Sequence, residues 1–479
     1  MCIGGAWLPD GQGRRPGGRE LKKRFAQLAA GIRQTLRRMR PPQIVVLLFL
    51  ALVLVGSGLL CLPVCSQAGQ PTDFLTALFT ATSATCVTGL IQVDTGLYWS
   101  GFGQAVILAL IQIGGLGFMT IATVFFLALR QKVSFKQRLV LAQGLGIDDV
   151  SGVVSLVKNV LLGTLAVEGA GALILFFRFL PEFGAARAAW YGVFHAVSAF
   201  CNAGFDVLGD VSYGGSLSRY VEDPVVNLTI MALVLIGGLG FAVWGELRHT
   251  RRFSRLSLYA RLVLLITAAL TFGGGALFAL LEWNNPQTIG ALSPGGKILA
   301  SLFQSVTLRT AGFVSFNQDG LTEVSKLLSC ALMCVGGSSG STAGGVKTVT
   351  MGLVLLSAWS AMRGKAQLVV FRRGISRLDR ENASALALLV LSLALLGAVV
   401  LSVCDGCSLL NAVYETMSAI CTVGITTGIT ASLCVASKLI LIVYMFFGRV
   451  GIMTIGIGFM MADRAHTRVQ YAEAKVMIG

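Results

Sequence analysis

The segment TSATCVTGL at positions 82–90 returns three more times in altered form. The other copies are VSAFCNAGF (197–205), VTLRTAGF (306–313) and MSAICTVGI (417–425). The glycines of the four copies are Gly89, Gly204, Gly312 and Gly424, spaced 115, 108 and 112 residues apart. Each copy lies between two very hydrophobic stretches. The sequence therefore predicts a membrane helix, a short re-entrant segment and a second membrane helix, four times over, which is the plan of an ion pore folded from one chain.

The composition is that of an integral membrane protein. The 479 residues are 55% hydrophobic and 13% charged, with a mean hydropathy of +0.77, whereas soluble proteins carry about 25% charged residues. Because about 20 apolar residues span a bilayer as a helix, we expect eight spans. The apolar segments lie near 43–64, 102–129, 153–178, 224–246, 258–282, 324–358, 383–403 and 436–461. The first is too long for a signal-peptide core and lacks a cleavage site.

The distribution of Lys and Arg predicts the orientation. An even number of spans places both termini on one side, and positive residues mark the cytoplasmic side. With the N-terminus inside, the inner segments hold 28 Lys and Arg and the outer segments hold 6. A basic tail can also indicate nucleic acid, but this tail directly precedes an apolar segment, so we expect no nucleic-acid partner. Both termini are expected in the cytoplasm of a multi-pass plasma-membrane protein, the inner membrane in a bacterium.

These features predict an all-α polytopic membrane protein of four pseudo-symmetric units around a central pore, with eight transmembrane helices. The half-helices that run into the repeated glycines are expected at 73–85, 188–201, 297–308 and 408–420. Non-helical backbone at membrane depth survives where it lines a water-filled path or is buried in protein. The predicted divisions are a basic cytoplasmic tail (1–42), pore unit 1 (43–130), unit 2 (153–247), unit 3 (258–360), unit 4 (383–462) and a cytoplasmic tail (463–479).

A second repeat follows each glycine. It reads IGGLGF at 113–118 and 236–241, VGGSSG at 335–340 and FGRVGI at 447–452. Close helix packing is the expected role of its small residues in units 1 and 2. These are Gly114, Gly115, Gly117, Gly237, Gly238 and Gly240. A polar insertion at 212–223 predicts a longer outer loop in unit 2.

The repeated glycines have a physical reason in a selectivity filter. Rings of backbone carbonyls can replace the water of a dehydrated cation, and glycine permits the unusual dihedrals that such rings need. The C-terminal end of a half-helix also favours a cation. The candidate filter residues are Val87, Thr88, Gly89, Asn202, Ala203, Gly204, Thr310, Ala311, Gly312, Thr422, Val423 and Gly424. The alternative for any one glycine is close helix packing.

The four filter segments, their spacing and the helix–half-helix–helix plan resemble the Trk/Ktr/HKT superfamily of potassium transporters. The ending YAEAKVMIG (471–479) is similar to the C-terminus of Ktr membrane subunits. The resemblance implies potassium uptake, with glycine in all four loops as the mark of potassium selectivity. It also implies a homodimer and a separate cytoplasmic ring of nucleotide-binding regulatory subunits. Potassium is then the substrate, no cofactor is bound by this chain, and the basic loops suit that ring or anionic lipid headgroups.

The sixth span is interrupted by GGSSGSTAGGVKT at 336–348. Interior glycine destabilises a helix by about 1 kcal/mol relative to alanine, so we expect a mobile loop over 336–346 below the filter. It is similar to the intramembrane gating loop of the family. The candidate gate residues are Gly336, Gly337, Ser338, Ser339, Gly340, Ser341, Thr342, Ala343, Gly344, Gly345, Lys347 and Arg449. A phosphate-binding loop is the rival interpretation, but its spacing and its strand–helix context are absent.

Arg449 is a charge inside the eighth span, and an intramembrane charge suggests function. It stands one residue after the position that matches Gly336, so loop and arginine are expected at similar depth. The family has an arginine here that acts as a barrier beneath the filter. We expect Arg449 to repel cations and to hold the closed loop by hydrogen bonds.

Other polar residues receive weaker assignments. Asp94, Asp206 and Asp319 follow three filter glycines and suit either cation attraction at the outer mouth or plain solvated loops. Glu168 is expected to pair between helices, with Lys158 or a hydroxyl. Arg309 is expected to tie down its loop, and His195 to be a hydrogen-bonded structural residue. Cys404 and Cys407 favour two free thiols over a disulfide, and no metal site is expected.

Two other functions remain open to the sequence. A sodium-conducting or mixed-cation member of the superfamily would share this plan. An alternating-access solute carrier also uses repeats and broken helices, but its repeats usually come in pairs. The spans hold almost none of the clustered His, Asp and Glu that an enzyme would need, so no enzymatic activity is expected.

Overall fold

The computed structural model describes residues 41–117, 153–209, 216–250, 252–365 and 367–451, and the described chain is mainly helical. The first helices are α1 (Pro41–Leu60), α2 (Phe74–Cys86), α3 (Thr95–Tyr98), α4 (Gly101–Leu116), α5 (Val153–Phe200), α6 (Pro224–Gly238) and α7 (Phe241–His249). The later helices are α8 (Leu258–Glu282), α9 (Pro294–Thr307), α10 (Glu323–Met333), α11 (Thr348–Met362), α12 (Arg377–Asp405), α13 (Leu409–Ile420) and α14 (Val435–Val450). The predicted tails, 1–42 and 463–479, lie almost wholly outside the described residues.

Two small departures from the all-helical prediction occur in the described chain. Short 3₁₀ helices cover Pro63–Cys65, Ser218–Tyr220, Phe253–Arg255 and Thr430–Ser432. An antiparallel hairpin joins β1 (Val369–Val370) to β2 (Arg373–Gly374). Its two turn residues, Phe371 and Arg372, both have positive φ, which is the backbone of the tightest hairpin turns.

Polar residues fix where many of the helices begin. A side-chain oxygen that accepts the free amide hydrogens of the first turn stabilises a helix start. The residues that do so are Asp73, Asp94, Ser100, Asp223, Ser257, Ser293, Thr322, Ser376 and Ser408. Three of them, Asp73, Ser293 and Ser408, start α2, α9 and α13, the half-helices of units 1, 3 and 4. In unit 2 the half-helix is the last part of α5, after a non-helical Gly184.

Four described helices are long and apolar enough to cross a membrane. They lie at Gln43–Leu60, Val157–Phe200, Leu258–Glu282 and Arg377–Asp405. The pair α6 and α7 would make a fifth span, but the two helices are bent by 96°. The prediction of a continuous fourth span over 224–246 is therefore wrong: Gly240, at φ 92°, separates two helices. The ends of the second and eighth predicted spans lie outside the described residues, so the count of eight remains a prediction.

The helices pack in a repeating order. Within a unit, α1 packs on α2, α8 on α9 and α12 on α13. Between units, α4 packs on α5, α6 on α9, α10 on α13, and α14 returns to α2. The last described helix therefore contacts the first half-helix. Apolar side chains remain on the outside, as Val403 with 79% of its surface exposed illustrates on α12, which is the pattern of a protein surrounded by lipid.

Candidate functional site: four filter segments and the loop beneath them

The four candidate filter segments share one backbone pattern. A residue with left-handed backbone comes first, one residue follows, and a glycine of positive φ comes third. The left-handed residues are Val87, Asn202, Thr310 and Thr422, with φ between 52° and 63°, and the glycines are Gly89, Gly204, Gly312 and Gly424, with φ between 68° and 95°. Left-handed backbone is costly for bulky residues such as valine, and strain of this kind concentrates at functional sites.

The four glycines meet at one place in the molecule. A Cβ atom on Gly204 would lie 2.5 Å from the Cα of Gly312, and one on Gly89 would lie 2.6 Å from the carbonyl oxygen of Ala203. A Cβ on Gly424 would collide with the carbonyl oxygen of Thr88. Segments more than 100 residues apart in sequence are thus brought together, and the close approach leaves no room for a side chain at these positions.

Each filter segment is held by a hydroxyl of its own half-helix. The Ser83 hydroxyl accepts from the Gly89 amide at 3.1 Å, and the Ser418 hydroxyl accepts from the Gly424 amide at 3.0 Å. The Ser198 hydroxyl donates to the Phe205 carbonyl at 2.7 Å, and that of Thr307 donates to the Phe313 carbonyl at 2.6 Å. We call these four residues the filter-anchoring hydroxyls. Sequence reasoning missed them, although a Ser or Thr stands there in all four repeats.

The second glycine repeat has two distinct roles. A Cβ on Gly114, Gly237 or Gly448 would collide with the carbonyl oxygen of Thr85, Phe200 or Ile420, respectively, each four residues before a filter glycine. Packing is therefore the role of Gly114 and Gly237, as predicted. Gly117 and Gly240 differ: both have positive φ, 82° and 92°, and stand where α4 ends and α7 begins. A Cβ on Gly117 would meet no atom within 4 Å, so the packing interpretation was wrong for Gly117, whereas a Cβ on Gly240 would lie 2.8 Å from the Ser339 carbonyl, which confirms close packing there.

The 336–346 loop contacts two of the four candidate filter segments. The Thr342 hydroxyl donates to the Phe200 carbonyl at 2.9 Å. A Cβ atom on Gly344 would collide with the Thr422 hydroxyl, and one on Gly345 would lie 2.7 Å from the Cys421 carbonyl oxygen. The loop therefore contacts the segments of units 2 and 4 at the residues that precede their filter glycines.

The break between α6 and α7 supports the same loop. The amides of Ser338 and Thr342 donate to the carbonyls of Gly238 and Gly237, at 2.9 and 3.3 Å. In return the Phe241 amide donates to the Gly340 carbonyl at 2.8 Å. Polar backbone groups freed by the two interruptions thus satisfy one another, which removes the large cost of leaving them unpaired inside a membrane.

Arg449 joins this loop to the first unit. Its guanidinium donates to the carbonyls of Thr342 and Gly114, and to that of Gly115 at 2.8 Å. Among the described residues it forms no salt bridge, and the partners of its guanidinium there are backbone carbonyl oxygens. Lys347 lies nearby and donates to the Ala343 carbonyl at 2.9 Å. Two cationic groups therefore hold a loop that has no acidic side chain of its own.

The structure also shows the surroundings of the polar residues that received weaker assignments. Glu168 accepts from the side-chain amide of Gln112, on another helix, at 3.2 Å, so the expected pairing between helices is confirmed, but the suggested partners were wrong, since Lys158 is exposed. Arg309 is 6% exposed and donates to the Thr267 hydroxyl at 3.2 Å, which ties its segment to α8. His195 shares a hydrogen bond with the Tyr191 carbonyl at 2.7 Å and is fully buried.

The three acids beyond the filter have different surroundings. Asp94 caps α3 through the Leu97 amide at 2.8 Å, and Asp319 pairs with Lys326 at 3.3 Å. Asp206 lies two residues after Gly204, where burial and the nearby Asp94 carboxylate raise its pKa to about 7. Among the described residues no group of three His, Cys, Asp or Glu side chains is placed to hold a metal ion. Cys404 is exposed, Cys407 is half-buried, and both are free thiols.

Comparison with known proteins identifies relatives over nearly the whole chain. Residues 25–467 match the family model TrkH, described as cation transport protein. The chain is 39% identical to the potassium/sodium uptake protein NtpJ of Enterococcus hirae, covering 92% of this chain and 98% of that protein. It is also 39% identical to the Ktr system potassium uptake protein B of Bacillus subtilis, covering 92% and 97%. The crystal structure of the potassium transporter TrkH from Vibrio parahaemolyticus matches with a TM-score of 0.65 at 21% identity, covering 87% of this chain and 84% of that one.

Proposed function

The chain belongs to the TrkH family of cation transport proteins, and we propose that it takes up potassium through a pore lined by the four filter segments. The family is one of transporters and not of enzymes. The choice of potassium rests on relatives named as potassium uptake proteins at 39% identity. Potassium is the transported substrate in this proposal, and no cofactor is assigned to the chain.

The observation that carries the proposal is the shared backbone pattern of the four segments. Left-handed backbone at the first and third residues turns successive carbonyl groups, and carbonyl rings are what selects a dehydrated cation. The half-helices α2, α9 and α13 have their C-terminal ends at this place, and the C-terminal end of a helix carries partial negative charge. Both effects favour a cation and disfavour an anion.

We propose that the 336–346 loop and Arg449 form the gate. The loop lies below the filter segments, and a cation leaving them would meet the guanidinium and Lys347. Like charges in a low-dielectric site repel strongly. Moving the loop requires breaking the contacts of Arg449 with Thr342, so the same side chain supplies both the electrostatic barrier and the mechanical hold.

We also propose the membrane topology of the chain and its partners. The order in which the helices pack supports four pseudo-symmetric units with eight spans, and the excess of Lys and Arg in the inner segments supports both termini in the cytoplasm of a plasma membrane. A homodimer, contact with membrane lipid, and a cytoplasmic ring of nucleotide-binding regulatory subunits follow from the resemblance to Ktr membrane subunits. The basic inner segments of the sequence would suit such a ring.

Transport of sodium together with potassium is the second candidate. One relative at 39% identity is named a potassium/sodium uptake protein. The two candidates predict different ion preference from the same pore, so a flux measurement with both ions separates them.

Growth of potassium-uptake-deficient bacteria in low potassium tests the function, with a suitable regulatory subunit co-expressed. We expect rescue by the wild-type chain and a lowered potassium-to-sodium preference for Gly89→Ser, because a side chain there displaces the Ala203 carbonyl. Gly69→Ser is the matched control, since Gly69 also has positive φ but a Cβ there meets no atom within 4 Å. Absence of rescue by the wild-type chain would count against transport, and an unchanged preference in Gly89→Ser would count against the filter.

A further inference from the structure

One position in each half-helix combines burial with a polar side chain. It lies three residues before the filter-anchoring hydroxyl and holds Thr80, His195, Gln304 and Glu415. All four are at most 1% exposed. Buried polar groups cost free energy unless they are hydrogen-bonded, so the partners of these side chains indicate what each position does.

Glu415 binds the segment that leaves the filter of unit 4. One carboxylate oxygen accepts from the Thr426 hydroxyl, and the other accepts from the Thr430 hydroxyl at 3.0 Å. The Thr430 hydroxyl also lies 2.9 Å from that of Thr426, and the Gly428 amide donates to Thr426 at 2.9 Å. Both oxygens of the buried side chain are therefore committed to the chain that follows Gly424.

Gln304 does the same in unit 3. Its amide exchanges two hydrogen bonds with Gln318, at 2.7 and 3.2 Å, and Gln318 follows Gly312 by six residues. The Tyr414 hydroxyl donates to the same Gln318 at 3.2 Å. Because Tyr414 precedes Glu415 in α13, the two anchors belong to one connected group that links units 3 and 4.

At this position, units 1 and 2 show no such contact among the described residues. The ring of His195 bonds the Tyr191 carbonyl within its own helix, and the Thr80 hydroxyl has no hydrogen-bond partner in the described part of the chain. In unit 1 a different half-helix residue contacts the chain beyond the filter glycine: the Thr76 hydroxyl donates to Gln92 at 3.2 Å.

We infer that Glu415 and Gln304 are positioning residues that fix the outer ends of filter segments 4 and 3, and so set the discrimination between potassium and sodium. The two ions carry the same charge and differ in size, so carbonyls that can move lose the distinction. Functional groups need to be held within about 0.5 Å of their working geometry by surrounding hydrogen bonds. The inference rests on the proposed function, since it concerns the selectivity of that pore.

Potassium and sodium uptake by purified protein in liposomes tests the role of Glu415. We expect Glu415→Ala to lower the potassium-to-sodium uptake ratio about tenfold, the factor expected from loss of a hydrogen bond to a charged group. Glu415→Gln keeps one acceptor and one donor for the two threonine hydroxyls. Its potassium-to-sodium uptake ratio should stay within about twofold of the wild-type ratio, because a tenfold change corresponds to the loss of a whole hydrogen bond. Thr80→Val is the matched control and should leave the ratio unchanged.

The outcomes separate this inference from the proposed function. Absence of potassium uptake by wild-type protein would refute the transport function itself. Normal wild-type uptake with an unchanged ratio in Glu415→Ala would refute the positioning role alone, and so would a Glu415→Gln variant as impaired as Glu415→Ala. If Glu415→Ala does not fold, the double variant Thr426→Val, Thr430→Val removes the same contacts from the loop side. A normal ratio in that variant would equally overturn the inference.

Discussion

At the scale of single residues, the four candidate filter segments are held by side-chain hydroxyls of their own half-helices. Val87, Thr310 and Thr422 hold left-handed backbone that costs about 1–2 kcal/mol per residue, and the filter-anchoring hydroxyls help to hold it. The sequence made the four glycines visible because glycine is the residue that tolerates such dihedrals. It did not reveal the hydroxyls as anchors, because serine in an apolar helix has several common roles and only the fold selects one.

Replacing Arg449 with Gln tests the barrier. The glutamine removes the charge and shortens the reach to the Thr342, Gly114 and Gly115 carbonyls. We expect a rise in cation leak through the resting protein, measured as rubidium uptake into liposomes without a regulatory subunit. Leak equal to that of wild type would contradict the assignment. Arg363→Gln, at the exposed end of α11, is the control.

Replacing Gly114 with Ala tests the close contact between α4 and the first half-helix. The methyl group collides with the Thr85 carbonyl, so we expect a loss of about 1–3 kcal/mol from overpacking and a lower melting temperature in detergent. Gly58→Ala is matched, because Gly58 is also in a helix but a Cβ there meets nothing within 4 Å. Its melting temperature should be equal or higher, because alanine favours helix. Equal melting temperatures for the two variants would show that the contact is relaxed.

The wrong partner predicted for Glu168 has a geometric cause. Lys158 lies on the same helix, ten residues before Glu168, but its side chain is exposed. Gln112 comes from another helix, and partners across helices depend on packing that a single sequence does not give. The carboxylate itself was correctly expected to be paired, because burial of an unpaired charge is costly.

At the scale of elements, the break in unit 2 is the main correction. Units 1 and 2 carry the same IGGLGF motif, and membrane helices often contain glycine, so a continuous span over 224–246 was the natural prediction. The turn arises because Gly240 adopts positive φ and the 336–346 loop supplies partners for the freed backbone groups. That partnership links unit 2 to unit 3 and has no signature within either segment.

Gly240→Ala should loosen this joint. The residue has φ 92°, and a Cβ would lie 2.8 Å from the Ser339 carbonyl. We expect faster hydrogen–deuterium exchange across 336–346 and increased leak through the resting protein. Gly245→Ala, in α7 with no atom within 4 Å of a Cβ, should change neither. Unaltered exchange in Gly240→Ala would mean that the loop is held independently of unit 2.

At the scale of the whole molecule, the mainly helical membrane protein followed from the repeats and composition, and the family followed from the resemblance of the filter segments to those of known transporters. The repeat count works because each unit must bury the same kinds of surface, so the sequence pattern repeats with the structure. The number of spans is harder to predict from sequence, because broken helices divide an apolar segment into pieces that are each shorter than a membrane span. Three of the described apolar helices, α2, α4 and α11, are too short to count as spans by themselves.

Cys404 offers a direct test of orientation. Its thiol is exposed where α12 ends, on the predicted outer side, while the other described cysteines are buried or half-buried. We expect a membrane-impermeant maleimide to label intact cells expressing the protein and not to label Cys404→Ser. Labelling that requires permeabilised cells would place this end of α12 in the cytoplasm and invert the proposed topology.

The bond between Arg449 and the Gly115 carbonyl joins residues 334 positions apart in the chain. A ribosome delivers unit 1 to the membrane long before α14 exists, since translation adds roughly 5–20 residues per second. During that interval the Arg449 guanidinium, which bonds the Gly114 and Gly115 carbonyls in the complete structure, has not been synthesised. In the proposed mechanism, a nascent chain that has inserted its candidate filter segments therefore still lacks the Arg449 barrier. Because Arg449 follows all four candidate filter segments in the chain, closure of the proposed pore has to await the synthesis of α14.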